Sequence, residues 1–197
     1  MNFLAHSYLS FNQPGILIGN MISDFVKGRK KFDYPQGVQQ GIQLHRDIDT
    51  FTDDHAATKD AKQFLKPAAG LYAGAFIDVV YDHFLANDQS EFTGDYLHQH
   101  AAKTYLILKE HNAILPEKFQ QMLPYMASQN WLYNYKNLWG IQNSFGGVVR
   151  RASYLTSSAE VFELFKTHYS SLQKCYNAFF PDVKSFAISK MNQLLNK

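Results

Sequence analysis

The sequence predicts an all-α protein, a single-domain helical bundle over residues 1–197. Three observations predict it. Apolar stretches are broken by short polar turns along the whole chain. Long alternating β-branched runs and the Asn-Gly hairpin signal are missing. Prolines and glycines fall where helices would begin and end.

A short helix is expected over about 3–11. Pro14 suits the first turn of a second helix over 16–27, and Gly28 is placed to end it. Pro35 stands near the start of a third helix, which reaches about Phe51. Residues 56–65 read as a fourth, stopped before Pro67. The run 71–86 is strongly apolar and predicts the central buried helix. Residues 95–109 are amphipathic, and Pro116 opens a helix over 117–127. The aromatic stretch 131–147 is interrupted by Gly140, Gly146 and Gly147, and its pattern is ambiguous. Ser157 or Ser158 caps a long final helix from Ala159, with Glu160 or Glu163 favouring its dipole. Pro181 is expected to break or kink that helix before a last stretch, 183–195.

A globule of this length buries about 70% of its unfolded surface, so it folds without disulfides or a structural metal. The aromatic fraction of 15% points to an aromatic-rich core. A net charge of +2 argues against non-specific nucleic-acid binding, though not against a local basic patch. Cys175 is the single cysteine, which favours a reducing compartment. The opening Met1-Asn2-Phe3-Leu4-Ala5-His6 lacks the features of a signal peptide, and no apolar run is long enough for a membrane span. The expectation is a cytoplasmic protein. Nothing in the sequence indicates an oligomeric state.

Three segments set acidic or imidazole groups inside apolar helical patterns. Asn20 and Asp24 are four residues apart, within Ile18–Lys27. His45 and Asp49 repeat that spacing, flanked by Ile42 and Ile48. Asp78 and Asp82 repeat it again, with His83 following directly, in an otherwise apolar helix. His6 is a further candidate. Buried carboxylates are costly unless a cation or hydrogen-bond donors compensate. A divalent metal would compensate best, which makes His6, Asp24, His45, Asp49, Asp78, Asp82 and His83 candidate ligands. A lone imidazole on an apolar face is more often a hydrogen-bonded core residue, and His45 with Asp49 also suits a surface pair. His55, His98, His100, His111 and His168 fall in turns or on polar faces and receive no role.

Mixed imidazole and carboxylate ligands suit Mn, Fe, Zn or Mg. Such an ion lowers the pKa of water and clamps phosphoryl oxygens. Basic residues suited to a phosphate lie nearby in sequence: Lys27, Arg29, Lys30 and Lys31 follow Asp24, Arg46 adjoins His45, and Arg150-Arg151 form a second doublet. A charge run of this kind also suits a solvated loop. Lys27 is favoured over Lys30 and Lys31 for function, being three residues beyond Asp24 on the same side of the helix.

In combination these stretches resemble the acyl carrier protein phosphodiesterase family, itself similar to a divergent branch of the HD-domain phosphohydrolases. The matching residues are Met1–His6, Gly19-Asn20, Asp24–Gly28, Gly41–Asp49 with Thr52-Asp53, Asp78 with Asp82–Leu85, Trp131-Leu132 and Arg150-Arg151. The likeness runs in order over about the first 150 residues and weakens after Arg151. The HD doublet stands reversed, as Asp82-His83.

The resemblance implies hydrolysis of the phosphodiester linking 4′-phosphopantetheine to a serine of holo acyl carrier protein. The expected cofactor is a divalent cation, manganese before magnesium, iron or zinc. Asp24, Lys27, Arg46 and Asp82 are then the expected catalytic residues, and Arg29, Lys30, Arg150 and Arg151 a basic rim for the acidic carrier. The segment 131–139 suits plain core packing, with a pantetheine groove as the alternative. Two other functions fit the same residues: a metal phosphohydrolase of nucleotides or other small phosphodiesters, and a non-catalytic helical module binding an acidic partner. A nucleic-acid binder would need a larger basic surface.

Overall fold

The computed structural model describes residues 1–196, and the regular structure of those residues is all-α, in a single helical domain. In order the helices are α1 (Phe3–Tyr8), α2 (Pro14–Ile22), α3 (Gln36–Asp54), α4 (Ala56–Ala69), α5 (Ala73–Asn87), α6 (Tyr96–Glu110), α7 (Glu117–Ser128), α8 (Trp131–Asn134), α9 (Leu138–Arg151), α10 (Ala159–Thr167) and α11 (Tyr169–Leu195). Short 3-10 turns cover Ser23–Phe25, Gly28–Asp33, Gly70–Tyr72 and Asn112–Ile114. Pro14 is the first residue of α2, and Pro35 and Pro116 directly precede α3 and α7. A missing N–H is harmless there, because first-turn amides have no intrahelical acceptor.

The apolar run after Leu71 is the centre of the molecule. Phe76, Ile77, Val80, Tyr81 and Leu85 of α5 are buried, with α1, α4, α9 and α11 packed around them. α2 and α3 cross in backbone contact. A Cβ at Gly19 would stand 2.1 Å from the Val38 carbonyl oxygen, and one at Gly41 2.2 Å from that of Ile16. Any larger residue at either position would force the helices apart. This crossing brings Asn20 of α2 against His45 of α3.

Four expectations change. α2 stops at Ile22 rather than Lys27: Ser23–Phe25 tightens to a 3-10 turn and Val26 and Lys27 are extended. Arg46 on α3 donates to the Val26 carbonyl at 2.9 Å, drawing it away from helical alignment. α4 continues through Pro67, and α11 through Pro181. The carbonyls these prolines leave without partners belong to the exposed Gln63 and Asn177, where water can serve. The final helix divides instead at His168, between the buried Phe165 and Leu172. The ambiguous 131–147 stretch becomes α8 and α9.

Candidate active site

Asn20, fully buried, organises two imidazoles. Its side-chain nitrogen donates to the His6 carbonyl at 2.8 Å and to Ser10 Oγ at 3.1 Å, which fixes Oδ1 as an acceptor. Oδ1 lies 2.8 Å from His6 Nδ1, and the Asn20 backbone carbonyl lies 2.7 Å from His45 Nδ1. Both Nδ1 atoms therefore carry a proton, and both Nε2 atoms turn the other way. The rings stack with centroids 3.8 Å apart, 15° from parallel.

Asp49, one turn beyond His45 on α3, meets both rings: Oδ1 is 3.1 Å from His6 Nε2 and Oδ2 is 3.1 Å from His45 Nε2. Asp24 Oδ1 lies 3.2 Å from His45 Nε2, and its side chain is 75% exposed, so the cluster opens to solvent there. Ligand atoms of His6, His45 and Asp49 all lie within 4.8 Å of one another.

The electrostatics of this group leave one contact unreconciled, that of His6 Nε2 with Asp49, and a metal bound there would displace the proton that His45 Nε2 carries in its absence. Burial, together with the charge on His45, holds His6 down at about 4. Burial opposes a charge on His45 as well, but its hydrogen bonds to Asp24 and Asp49, and their negative charge, lift it to about 9. Asp49 is held well below the usual carboxylate range: burial pushes it up, and the neighbouring ammonium of Met1 and the imidazoles pull it down further. A neutral His6 with its proton on Nδ1 presents a bare Nε2 lone pair to a carboxylate oxygen at 3.1 Å. Two electron-rich atoms at that distance are reconciled by a positive ion between them. A two-imidazole, one-carboxylate set with an open side fits a divalent metal, and Asp24 could add a second carboxylate.

The other sequence-predicted residues are placed differently. Asp78 binds the Met1 ammonium at 2.9 Å, and that ammonium is also 3.5 Å from Asp49 Oδ1. Burial opposes the ammonium charge, but the two carboxylates outweigh it and raise its pKa to about 11. Asp82 accepts from the amides of Asn2, Leu4 and Ala5 at 3.3, 2.7 and 3.2 Å. It thus serves the unsatisfied N–H groups at the start of α1, as an anion does at any helix N-terminus. Burial pushes its carboxyl up to about 7 against the pull of those donors. His83 leaves the group: Nδ1 donates to the Tyr135 carbonyl at 2.7 Å and Nε2 accepts from the Tyr169 hydroxyl at 2.9 Å. The reversed doublet therefore does not act as a unit, because neighbours on a helix point about 100° apart.

Lys27, in extended backbone, does not share a helical face with Asp24. Arg46 is half-buried on α3 and tied to Val26. Arg29 and Lys30 are exposed on the 28–33 turn, whereas Arg150 and Arg151 end α9 and line a cavity with Trp131 and Trp139. The preferred reading of 131–139 as core holds for the buried Leu132 and Tyr135 and for Trp131, which packs against the core, and is corrected for Trp139, which is 54% exposed. His100 is not on a polar face; it is buried and hydrogen-bonded to Ser7 Oγ at 2.9 Å. Asn20 is the residue sequence reasoning undervalued. Its signal was a fully polar side chain in the apolar run Ile16–Ile22.

A family model for acyl carrier protein phosphodiesterase matches residues 1–183, well past Arg151. The chain is 30% identical over 195 residues to an acyl carrier protein phosphodiesterase of Klebsiella pneumoniae subsp. pneumoniae, covering 96% of this chain and 99% of the relative. It is 32% identical over 186 residues to one of Yersinia pestis, covering 92% and 94%. The relative from Photorhabdus laumondii is 30% identical over 193 residues, covering 96% of each. No solved structure matches the chain. By the extent of these matches, the chain belongs to the acyl carrier protein phosphodiesterase family.

Proposed function

We propose that residues 1–197 form one catalytic domain that hydrolyses the phosphodiester between 4′-phosphopantetheine and the serine of holo acyl carrier protein, releasing apo carrier. Membership of the family supports the reaction. The observation that carries the site is the pair of imidazoles held by Asn20 so that both Nε2 atoms converge on Asp49. No described helix is long and apolar enough to cross a membrane. With the lone Cys175, this supports a cytoplasmic setting, where the carrier protein would be met.

His6, His45 and Asp49 would hold a divalent cation, manganese by preference, with Asp24 at its open side. A cation there would supply Lewis acidity toward a phosphoryl oxygen and toward water. Asp24, ionised and solvent-facing, would take a proton from an attacking water. Lys27 and the guanidinium of Arg46 would supply positive charge to the developing negative charge on the non-bridging oxygens. Asp78 and Asp82 act on position rather than chemistry: they anchor the first residues of the chain and so the α1 helix that carries His6. The exposed cations Arg29 and Lys30 lie a few residues from Asp24 and suit an acidic carrier surface.

The test is mass spectrometry of holo carrier protein incubated with the enzyme and manganese, beside a nucleotide panel. Loss of the prosthetic-group mass is expected. An intact holo carrier together with nucleotide turnover would overturn the reading.

A further inference from the structure

Between α7, α8, α9 and the start of α1 lies a cavity of about 570 Å³, within the roughly 300–1,000 Å³ of sites that enclose a small ligand. Its lining combines two indoles, Trp131 and Trp139, with the amide residues Gln142 and Asn143. The helix wall is bare at Gly146 and Gly147, where a Cβ would meet nothing closer than the Arg150 guanidinium, at 3.6 and 3.5 Å. The lining contains no carboxylate, and its charged side chains are Arg150 and Arg151. Amides beside indoles suit a chain in which amide groups alternate with short alkyl segments. Two guanidiniums suit a chain with an anionic end.

The cavity adjoins the metal-site candidates. Asn2 and Phe3 form part of its wall, and the Asn2 amide is bonded to Asp82. One residue earlier, the Met1 nitrogen is 3.5 Å from Asp49 Oδ1. Consecutive Cα atoms are about 3.8 Å apart, so cavity wall and cluster are separated by about one residue of chain.

We propose that this cavity binds the phosphopantetheine arm of the substrate. The two amides of the arm meet Gln142 and Asn143, its alkyl segments cover the indoles, and its phosphate end points past Asn2 toward His6 and Asp49. The name of the arm rests on the carrier-protein reading above; the class of ligand, a diamide chain with one anionic end, rests on the lining.

Both tryptophans of the chain line this cavity, so intrinsic emission reports its occupancy. Pantetheine, the arm without its phosphate, should change that emission saturably. Gly147→Leu fills the space above the bare backbone and should weaken the response roughly tenfold or more, and raise KM for holo carrier by a similar factor. Gly146→Leu serves as the second variant, with circular dichroism checking the fold of each. Wild-type enzyme should favour holo carrier roughly tenfold or more over a carrier whose arm is cut to a two-carbon diester, and Gly147→Leu should narrow that preference. Absence of any emission change with pantetheine, or an unchanged KM in both folded glycine variants, would overturn the proposal. A saturable response to AMP but not to pantetheine would overturn it too. If the wild type cleaves no holo carrier, the functional reading fails, and the pantetheine titration still decides the cavity.

Discussion

The imidazoles of His6 and His45 lie face to face, and each donates its Nδ1 proton to a different oxygen of Asn20. One buried amide residue thereby fixes both tautomers and aims both Nε2 atoms at Asp49. Hydrogen bonds from the far ring nitrogen commonly tune imidazole ligands in this way.

Asn20→Leu removes the acceptor for His6 Nδ1 and leaves that N–H buried without a partner. Manganese affinity should fall by roughly 10–100-fold, and stability by about 1–3 kcal/mol. Asn20→Asp keeps an acceptor oxygen and should lose less affinity. Calorimetric titration with Mn²⁺ measures both; equal affinity in Asn20→Leu and wild type would count against the role of Asn20.

His6→Ala and Asp49→Ala should each abolish hydrolysis of holo carrier and Mn²⁺ binding. His83→Ala should keep Mn²⁺ affinity, since its ring serves Tyr135 and Tyr169. It should lower the unfolding free energy by about 1–3 kcal/mol through the partners it orphans. Loss of metal binding in His83→Ala, with the fold intact, would return it to the site.

Removing divalent ions by chelation should lower the melting temperature, because the bare His6 Nε2 again faces Asp49. Re-addition of Mn²⁺ should restore it in proportion to occupancy, by mass action. A melting curve indifferent to chelator and metal would favour a non-catalytic binding module.

His100 provides a pH dependence away from the cluster. Burial holds it neutral in the fold, down at about 4 against an ordinary 6.5. The unfolded chain therefore binds more protons between those values, so stability is full above about 6.5 and is lost as pH falls toward 4. The slope over that window should flatten in His100→Gln, measured by urea unfolding at a series of pH values. An unchanged slope would show that His100 protonates without penalty.

Arg29→Glu with Lys30→Glu should raise KM for holo carrier more than it lowers kcat, and should weaken the salt dependence of kcat/KM. Steady-state kinetics at two ionic strengths would show this, and an unchanged KM would place the carrier elsewhere.

The sequence by itself determined the helices up to α7 and their order, because apolar periodicity and the prolines at Pro14, Pro35 and Pro116 are local signals; it did not determine α8 and α9 or the break at His168. It also marked α5 as the centre, since a nearly unbroken apolar run has nowhere to be but inside. His45 and Asp49 were legible as a pair for the same reason: one turn of α3 fixes their spacing.

What only tertiary structure decided is which polar groups meet. Asp78, Asp82 and His83 made the strongest pattern in the sequence, yet Asp82 serves the start of α1 and His83 faces α11. Periodicity fixes the angle at which a side chain leaves its own helix, not the partner it finds across a crossing. That partner depends on the close approach at Gly19 and Gly41, which sets Asn20 between His6 and His45. The same limit left a groove at Trp139 as the lesser of two readings, since an aromatic run reads alike whether it fills a core or lines a groove.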